Sequence, residues 1–272
     1  MGRTRTALIV AIAFASTSAK AHEVWIEPST WQMPADTDFT AQLLNGQNLE
    51  GQALSWDPRV ILRAETWQGT ETAALQGRFG DVPALTGSVG SEGLLTLLYQ
   101  SKFNTVVYQD YEKFVEFLTE KNHLEILDAH AARSLPKTPI KEAFSRFSKA
   151  LIAVGTGAGE DMARGLEIEI VALDNPYTSD ITGGLRFQAL FEGEPLKSNR
   201  VTLFERDPAG MVQTSVAQTD AEGIVRFPIR QDHTYLVDTV VMRQPDRALF
   251  IASGGAFWES LWASLTFSVP SR

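Results

Sequence analysis

Short apolar runs separated by turn residues dominate this chain, and they restrict it to a mainly β fold. Between residues 22 and 108 the runs are EVWIEPSTW, FTAQLLNGQ, RVILRAETW, LLTLLYQS and NTVVYQ, with Gly, Pro and Asn among the residues around them. Runs of this length with such separators predict antiparallel strands. We therefore expect the first part of the chain to form a β-sandwich.

The same signature returns after Gly165. The runs are LEIEIVAL, LRFQALFEG, NRVTLFERD, QTSVAQT, IVRFPI, TYLVDTVVM, ALFIAS and ASLTFSV, and TDAEG at 219–223 predicts a tight turn. This layout is typical of a small immunoglobulin-like or transthyretin-like sandwich. The sequence thus predicts two sandwich-like domains, at 22–160 and 161–272.

A change of period predicts a helical segment at about 109–154, inserted in the first domain. After Asp110, a candidate N-cap, apolar residues recur at helical spacing up to Leu118. A second stripe steps by 4, 3, 4 and 3 residues through Ile140, Phe144, Phe147, Leu151 and Val154. With Thr138 as N-cap and Pro139 at the first helical position, it predicts an amphipathic helix.

The first 21 residues have the pattern of a secretory signal peptide. Arg3 and Arg5 precede the apolar run 7–15, and Ala19-Lys20-Ala21 forms an A-x-A cleavage site. The apolar run is far shorter than the roughly 20 residues that cross a bilayer. We predict a periplasmic or secreted protein whose mature chain has no membrane span.

Composition narrows the possible functions. The chain has no cysteine, so any metal site must use nitrogen and oxygen ligands. Its net charge is −9, and it becomes −12 without residues 1–21, which carry three cations and no acids. Such a surface repels nucleic acid. The chain has no G-x-S-x-G elbow either, so we predict no catalytic residue.

His22 is the main candidate metal ligand. Cleavage after Ala21 frees its α-amine, which chelates a metal together with the imidazole Nδ1, and a further imidazole completes an N3 site for Cu(II) or Ni(II). Cleavage after Ala19 instead gives Lys20-Ala21-His22, whose amine, two amides and imidazole form a square-planar N4 chelate. The alternative is that His22 is merely a polar residue before a strand, with Trp25 and Ile26 packed inward.

The other three histidines are the candidate partners. His233 lies in the turn RQDHTY and is a candidate second ligand. His123 and His130 are seven residues apart, about 10 Å along a continuous helix, so they hold one ion together only if the helix breaks. We take His22, His233 and His130 as the predicted metal ligands.

Two further groups of residues have alternative interpretations. Glu142, Ser145, Arg146 and Lys149 form a polar stripe on the predicted second helix. This stripe indicates either a docking face for a partner or an anionic ligand, or an ion-pair network. Trp258 and Trp262 indicate either core packing or a platform for sugars.

Several blocks together resemble a known family. AHEVWIEP, YQDYEKFVEFL, KEAFSRFSKALIAVG, LEIEIVALDNPY, the GEPLKSNRVTLFE to TDAEGIVRF module and FWESLWASLTFSV are similar to a NikM-like periplasmic family of unknown function, associated with nickel or cobalt uptake. The resemblance implies an exported protein that binds a metal or presents a substrate. His22 is the matched functional residue.

The leading hypothesis is therefore a non-enzymatic protein that binds nickel, cobalt or copper and presents the ion to a membrane uptake system. One alternative is a structural or carbohydrate-contacting module without metal. The other is a copper mono-oxygenase with a histidine brace, which requires a second histidine beside His22.

Overall fold

The computed structural model describes residues 22–271 and confirms a mainly β architecture. Its strands form one central sheet of ten strands and two smaller sheets of four strands each. None of the helices within this range is long and apolar enough to cross a membrane. The predicted signal peptide, and with it Lys20 and Ala21 of the N4 chelate, lies outside the described residues.

The N-terminal sheet follows the order β1-β3-β4, and β7 also pairs with β3. Its strands are β1 (Glu23–Pro28), β3 (Thr37–Gln47), β4 (Glu50–Leu54) and β7 (Leu85–Val89). Every pairing in this sheet is antiparallel.

The central sheet runs in the order β15-β14-β17-β18-β10-β8-β5-β6, and β2 and β9 also pair with β10. Its strands are β2 (Gln32–Met33), β5 (Ile61–Gln68), β6 (Glu71–Ala74), β8 (Gly93–Ser101), β9 (Asn104–Tyr108), β10 (Ile140–Val154), β14 (Arg200–Arg206), β15 (Val212–Gln218), β17 (Thr234–Arg243) and β18 (Trp258–Ser268).

The C-terminal sheet follows the order β11-β12-β13, and β16 also pairs with β12. Its strands are β11 (Ile168–Ala172), β12 (Leu185–Phe191), β13 (Glu194–Pro195) and β16 (Ile224–Phe227). The helices of the described residues are α1 (Tyr111–Lys121), α2 (Glu125–Ala132) and α3 (Arg247–Ala252).

The two smaller sheets pack on opposite faces of the central sheet. In β8, Leu95 and Leu97 belong to the core shared with the N-terminal sheet, whereas Leu94 and Leu98 belong to the core shared with the C-terminal sheet. This division follows from the alternation of side chains along a strand. The central sheet thus contributes to both sandwiches, and its strands come from both sides of the boundary predicted at residues 160 and 161.

The prediction of a first helix is confirmed. Asp110 caps α1, since its Oδ1 accepts a hydrogen bond from the Glu112 backbone N–H at 2.9 Å. The apolar face of α1 packs against an aromatic cluster on the central sheet that includes Trp258 and Trp262. The helix therefore covers the part of this face that the N-terminal sheet leaves open.

The prediction of a helix over 138–154 is wrong, because β10 occupies this segment. Its apolar residues alternate between the two faces of the central sheet: Ile140 and Val154 lie on one face, and Phe147 and Leu151 lie on the other. A strand buried on both faces does not show the usual alternation of apolar and polar residues. The resulting spacing of 4 and 3 residues imitates a helix.

The prediction of a strand at ALFIAS is also wrong, because α3 occupies most of this run. Asp246 caps the helix, with its Oδ1 accepting from the Leu249 backbone N–H at 2.7 Å. A residue such as Asp at the N-cap favours a helical turn, and this signal outweighs the apolar run.

Hydrogen bonds from side-chain hydroxyl groups attach β1 to the central sheet. Ser148 of β10 and Ser264 of β18 both donate hydrogen bonds to the Val24 carbonyl, at 2.9 and 2.7 Å, and Thr266 donates to the carbonyl of Ile26. These bonds fix the strand that directly follows His22.

Replacing Phe147 tests the position of β10 in the core. Phe147 is buried between sheets, so we expect Phe147→Ala to lower the free energy of unfolding by about 3–5 kcal/mol. Phe103 is 41% exposed, and Phe103→Ala should change it by less than about 0.5 kcal/mol. Urea denaturation measures both; equal losses would contradict the placement of β10.

Candidate functional site

A cavity of about 330 Å³ opens beside His22. Residues from β1, β3, β8, β9 and β10 and from the loops next to them form its wall. The polar side chains that line it include His22, Asn45, Tyr99, Lys102, Asn104 and Arg146. The cavity therefore places the predicted metal ligand next to several hydrogen-bonding groups and a guanidinium.

The imidazole of His22 has an unused nitrogen in this site. Its Nδ1 atom is buried and has no hydrogen-bond partner. Nδ1 is the ring nitrogen that forms a chelate with the α-amine of an N-terminal histidine. A buried polar atom without a partner is costly, so this nitrogen indicates a ligand or a bound water.

Arg146 is the buried cation of the cavity. The side chain is 5% exposed, and its guanidinium carbon lies 4.1 Å from the ring centroid of Trp262 and 4.9 Å from that of Phe144. The Nε and Nη1 atoms are buried and have no hydrogen-bond partner. Burial lowers the pKa of Arg146 to about 10, against the effect of nearby carboxylates, so the group stays charged at neutral pH.

An ion-pair cluster stands next to this arginine. Lys121 Nζ lies 2.6 Å from Glu23 Oε1 and 3.1 Å from Asp238 Oδ2, and all three residues are buried. Burial alone lowers the pKa of Lys121, but the two carboxylates outweigh burial and raise it. The cluster joins α1 to β1 and β17, so it anchors the start of β1 and with it His22.

Glu142 is a buried acid on the same face of β10 as Arg146. Its Oε1 accepts a hydrogen bond from Ser260 Oγ, which in turn accepts one from Trp262 Nε1 at 2.9 Å. The Tyr108 hydroxyl lies beside the Glu142 carboxylate and interacts with it, and neither this hydroxyl nor Glu142 Oε2 has another partner. Burial raises the pKa of Glu142 to about 7, so a large share of the group is neutral at that pH.

His233 lies far from His22. The Ile26 carbonyl in β1 binds Thr266, and Ser268, two residues further along β18, donates to the His233 carbonyl at 3.0 Å. The two histidines therefore lie at opposite ends of β1, on the order of 15 Å or more apart at about 3.3 Å per residue. The structure does not bring His233 into the cavity.

His130 is hydrogen-bonded through both ring nitrogens. Its Nδ1 accepts from Trp258 Nε1, and its Nε2 lies 3.0 Å from the Pro136 carbonyl. This pattern requires the neutral tautomer with the proton on Nε2. The ring also packs within the aromatic cluster that lies under α1. Because its Nδ1 lone pair accepts from Trp258, His130 has no free lone pair for a metal in this conformation.

His123 lies just after the end of α1. The helix therefore breaks before His130, which is the condition for the two histidines to hold one ion together. Asn122 ends α1 in the left-handed region with φ 62°. The His123 ring nevertheless lies between Glu125 and the Val240 carbonyl, at 3.0 and 2.9 Å, and not against His130. Within residues 22–271 no three His, Asp or Glu side chains are grouped so as to hold a metal ion.

The predicted polar stripe does not lie on one face. Because β10 is a strand, Glu142 and Arg146 lie on its face toward α1, and Lys149 lies on the opposite face. There Lys149 Nζ binds Asp161 at 2.9 Å and Glu169 at 3.1 Å. Lys149 thus belongs to an ion-pair network. Glu142 and Arg146 belong to the polar surroundings of the cavity.

The tryptophans predicted as alternatives for sugar stacking are both buried. Trp258 and Trp262 are 3% and 2% exposed, and both indole N–H groups donate to protein acceptors. They therefore pack in the core and offer no exposed platform.

Sequence reasoning did not place Tyr99 or Asn45 in the site. Tyr99 follows Leu95 and Leu97 on one face of β8, and nothing in this alternation distinguishes its hydroxyl. Burial raises the pKa of Tyr99 to about 12, and the nearby Arg146 acts in the opposite direction. Asn45 comes from β3, which reaches the cavity only through its pairing with β1.

The family of this chain follows from its sequence. Residues 19–243 match the model of DUF4198, described as a domain of unknown function. Because this match covers most of the chain, the protein belongs to the DUF4198 family. No curated protein matches the chain.

Some solved structures have weak similarity to this chain. One is a tetra-tandem repeat in the extending region of a large adhesion protein, at 12% identity and a TM-score of 0.20, covering 91% of this chain and 49% of that one. The other is the D0–D1 domain of intimin, at 11% identity and a TM-score of 0.20, covering 89% and 97%. The chain thus spans about half of the first of these proteins.

Glu142 predicts a pH dependence of stability. Its pKa is about 7 in the folded state and 4.5 as an ordinary value, so the folded state binds the proton more tightly. Its contribution is fully present below pH 4.5 and is lost as the pH rises through 7, on the order of 3 kcal/mol in total. We expect Glu142→Gln to remove this part of the pH dependence in urea denaturation.

The exposed Glu71 provides a control, since Glu71→Gln should keep the wild-type dependence. Burial also raises the pKa of Asp238, to about 6. Part of the dependence of the unfolding free energy on pH must therefore remain in Glu142→Gln. An unchanged slope in Glu142→Gln would contradict the assignment.

Proposed function

We propose that this chain is an exported protein that binds a divalent transition metal at His22 and presents it to a membrane uptake system. The observation that carries the proposal is the buried, unpartnered Nδ1 of His22 at the wall of a small-molecule-sized cavity. When His22 is the first residue of the mature chain, its amine and Nδ1 form a two-nitrogen chelate. Such nitrogen donors favour Cu(II) and Ni(II), and also accept Co(II).

The remaining donors of the cavity are weaker. Asn45, Asn104 and Tyr99 offer neutral oxygen atoms. The other three histidines lie outside the cavity and are hydrogen-bonded to other protein groups. An incomplete protein ligand set suits an ion that is carried and released. A histidine-brace mono-oxygenase needs a second imidazole here, and no observation favours it.

The sequence context supports the same proposal. The chain resembles the NikM-like periplasmic family, and the predicted cleavage after Ala21 frees the amine of His22. The DUF4198 family itself, being of unknown function, assigns no cargo. Nickel, cobalt and copper therefore remain the proposed ions.

Metal titration of the secreted protein tests the proposal. Intact mass first shows whether the mature chain begins at His22 or at Lys20. We expect one tightly bound Cu(II) or Ni(II) per chain, measured by competition with a chromophoric chelator. Loss of a residue that supports a metal ligand costs about 10–100-fold in affinity, and His22→Ala, which removes a ligand itself, should cost at least as much.

His233→Ala is the matched control, because it removes an imidazole at the opposite end of β1. It should leave the affinity unchanged. A mature chain that begins elsewhere, or equal affinities of wild type and His22→Ala, would overturn the proposal. Equal losses in the two variants would place the ion at another site.

A further inference from the structure

We infer that the cavity beside His22 binds a small carboxylate ligand, and that Arg146 is the residue that recognises its carboxylate group. This inference goes beyond metal binding and does not depend on it. It rests on the unused hydrogen-bonding capacity of Arg146, on the groups that enclose its guanidinium and on the shape and lining of the cavity.

Arg146 has unused hydrogen-bonding capacity although it is buried. A charged side chain in the interior is normally paired and hydrogen-bonded. Here Nε and Nη1 have no partner. Three buried carboxylates lie near it, and each accepts a hydrogen bond from another residue: Glu23 and Asp238 from Lys121, and Glu142 from Ser260. None of them is hydrogen-bonded to Nε or Nη1. The guanidinium therefore retains donors for a group that enters the cavity.

The surroundings of the guanidinium favour a planar acceptor. The rings of Trp262 and Phe144 lie within 5 Å of its carbon atom, so its neighbours are aromatic and its hydrogen bonds must form in its own plane. Carboxylates match the planar fork of arginine with two parallel hydrogen bonds. Arginine also binds phosphate in this way, so the preference for an organic carboxylate rests on the apolar part of the cavity wall.

The cavity is suited to a small organic molecule. Its volume of about 330 Å³ lies at the lower end of typical small-molecule sites, about 300–1,000 Å³. Val24, Val60 and Val106 give it an apolar wall, and Asn45 and Asn104 add side-chain amides. This combination fits a carboxylate with a short apolar body.

The other cation of the cavity is already engaged. Lys102 Nζ donates a hydrogen bond to the Arg59 carbonyl at 2.9 Å, so it is held by backbone at the rim. Because Lys102 lines the cavity, the control for long-range electrostatics is Lys197, an exposed lysine outside the cavity wall. The control separates recognition by Arg146 from general attraction of anions.

Calorimetric titration of the metal-free mature protein tests the inference. The probes are acetate, hexanoate, benzoate, succinate and citrate, with hexanamide as the neutral analogue of hexanoate and inorganic phosphate as the tetrahedral anion. We expect at least one carboxylate to bind one per chain, and hexanamide and phosphate to bind more weakly. No carboxylate binding up to about 10 mM overturns the inference.

Variants identify the residue. Arg146→Lys keeps the charge and loses the planar fork, and we expect it to weaken carboxylate binding by about 10–100-fold, the equivalent of a charge-assisted hydrogen bond. Lys197→Gln should stay within about threefold of wild type, because this exposed charge lies outside the cavity wall and is screened by solvent. Equal losses in both variants overturn the assignment to Arg146.

Two measurements keep the test decisive if Arg146→Lys does not fold. In ¹⁵N-labelled wild-type protein, the bound carboxylate should shift the Arg146 Nε–H resonance, and hexanamide should not. Equal shifts with both ligands, or binding of hexanamide as tight as that of hexanoate, contradict the inference. Metal titration and carboxylate titration are separate measurements on the wild-type protein, so failure of the metal proposal and failure of this inference are distinguishable.

Discussion

The parallel pairing of β10 with β18 is the interaction on which the rest of the structure depends. It joins residues 142–150 to residues 258–266 across more than a hundred residues of chain. Both smaller sheets and the helices α1 and α2 pack on the central sheet that this pair completes. The same two strands supply the hydroxyls that bind β1, so the position of His22 depends on a strand near the other end of the chain.

Buried charge is the second feature that shapes the site. Burial of an ion pair costs several kcal/mol per ion, and the geometry of partners decides how much is recovered. Lys121 regains this free energy by binding two carboxylates directly. Arg146 has carboxylates nearby, but its Nε and Nη1 make no hydrogen bond. The difference separates a group that stabilises the fold from one that remains available for a ligand.

The two proposals are compatible in charge. A divalent ion at His22 adds positive charge beside Arg146, and two of the buried carboxylates near Arg146, Glu23 and Asp238, are already paired with Lys121. A carboxylate bound to Arg146 offsets that charge and offers oxygen atoms to the ion. If both proposals hold, the incomplete ligand set at His22 and the unused donors of Arg146 complement each other.

The sequence by itself determined the mainly β class, the first helix with its cap at Asp110, and His22 as the leading candidate, because these depend on local patterns. It did not determine the state of 138–154, since a strand buried on both faces carries apolar residues at helix-like spacing. Nor did it show whether His130 or His233 lies near His22, because their positions depend on packing and not on a local pattern. Tertiary structure alone decided that Arg146 shares a cavity with His22, because strand pairing, not proximity in the chain, brings the two residues together.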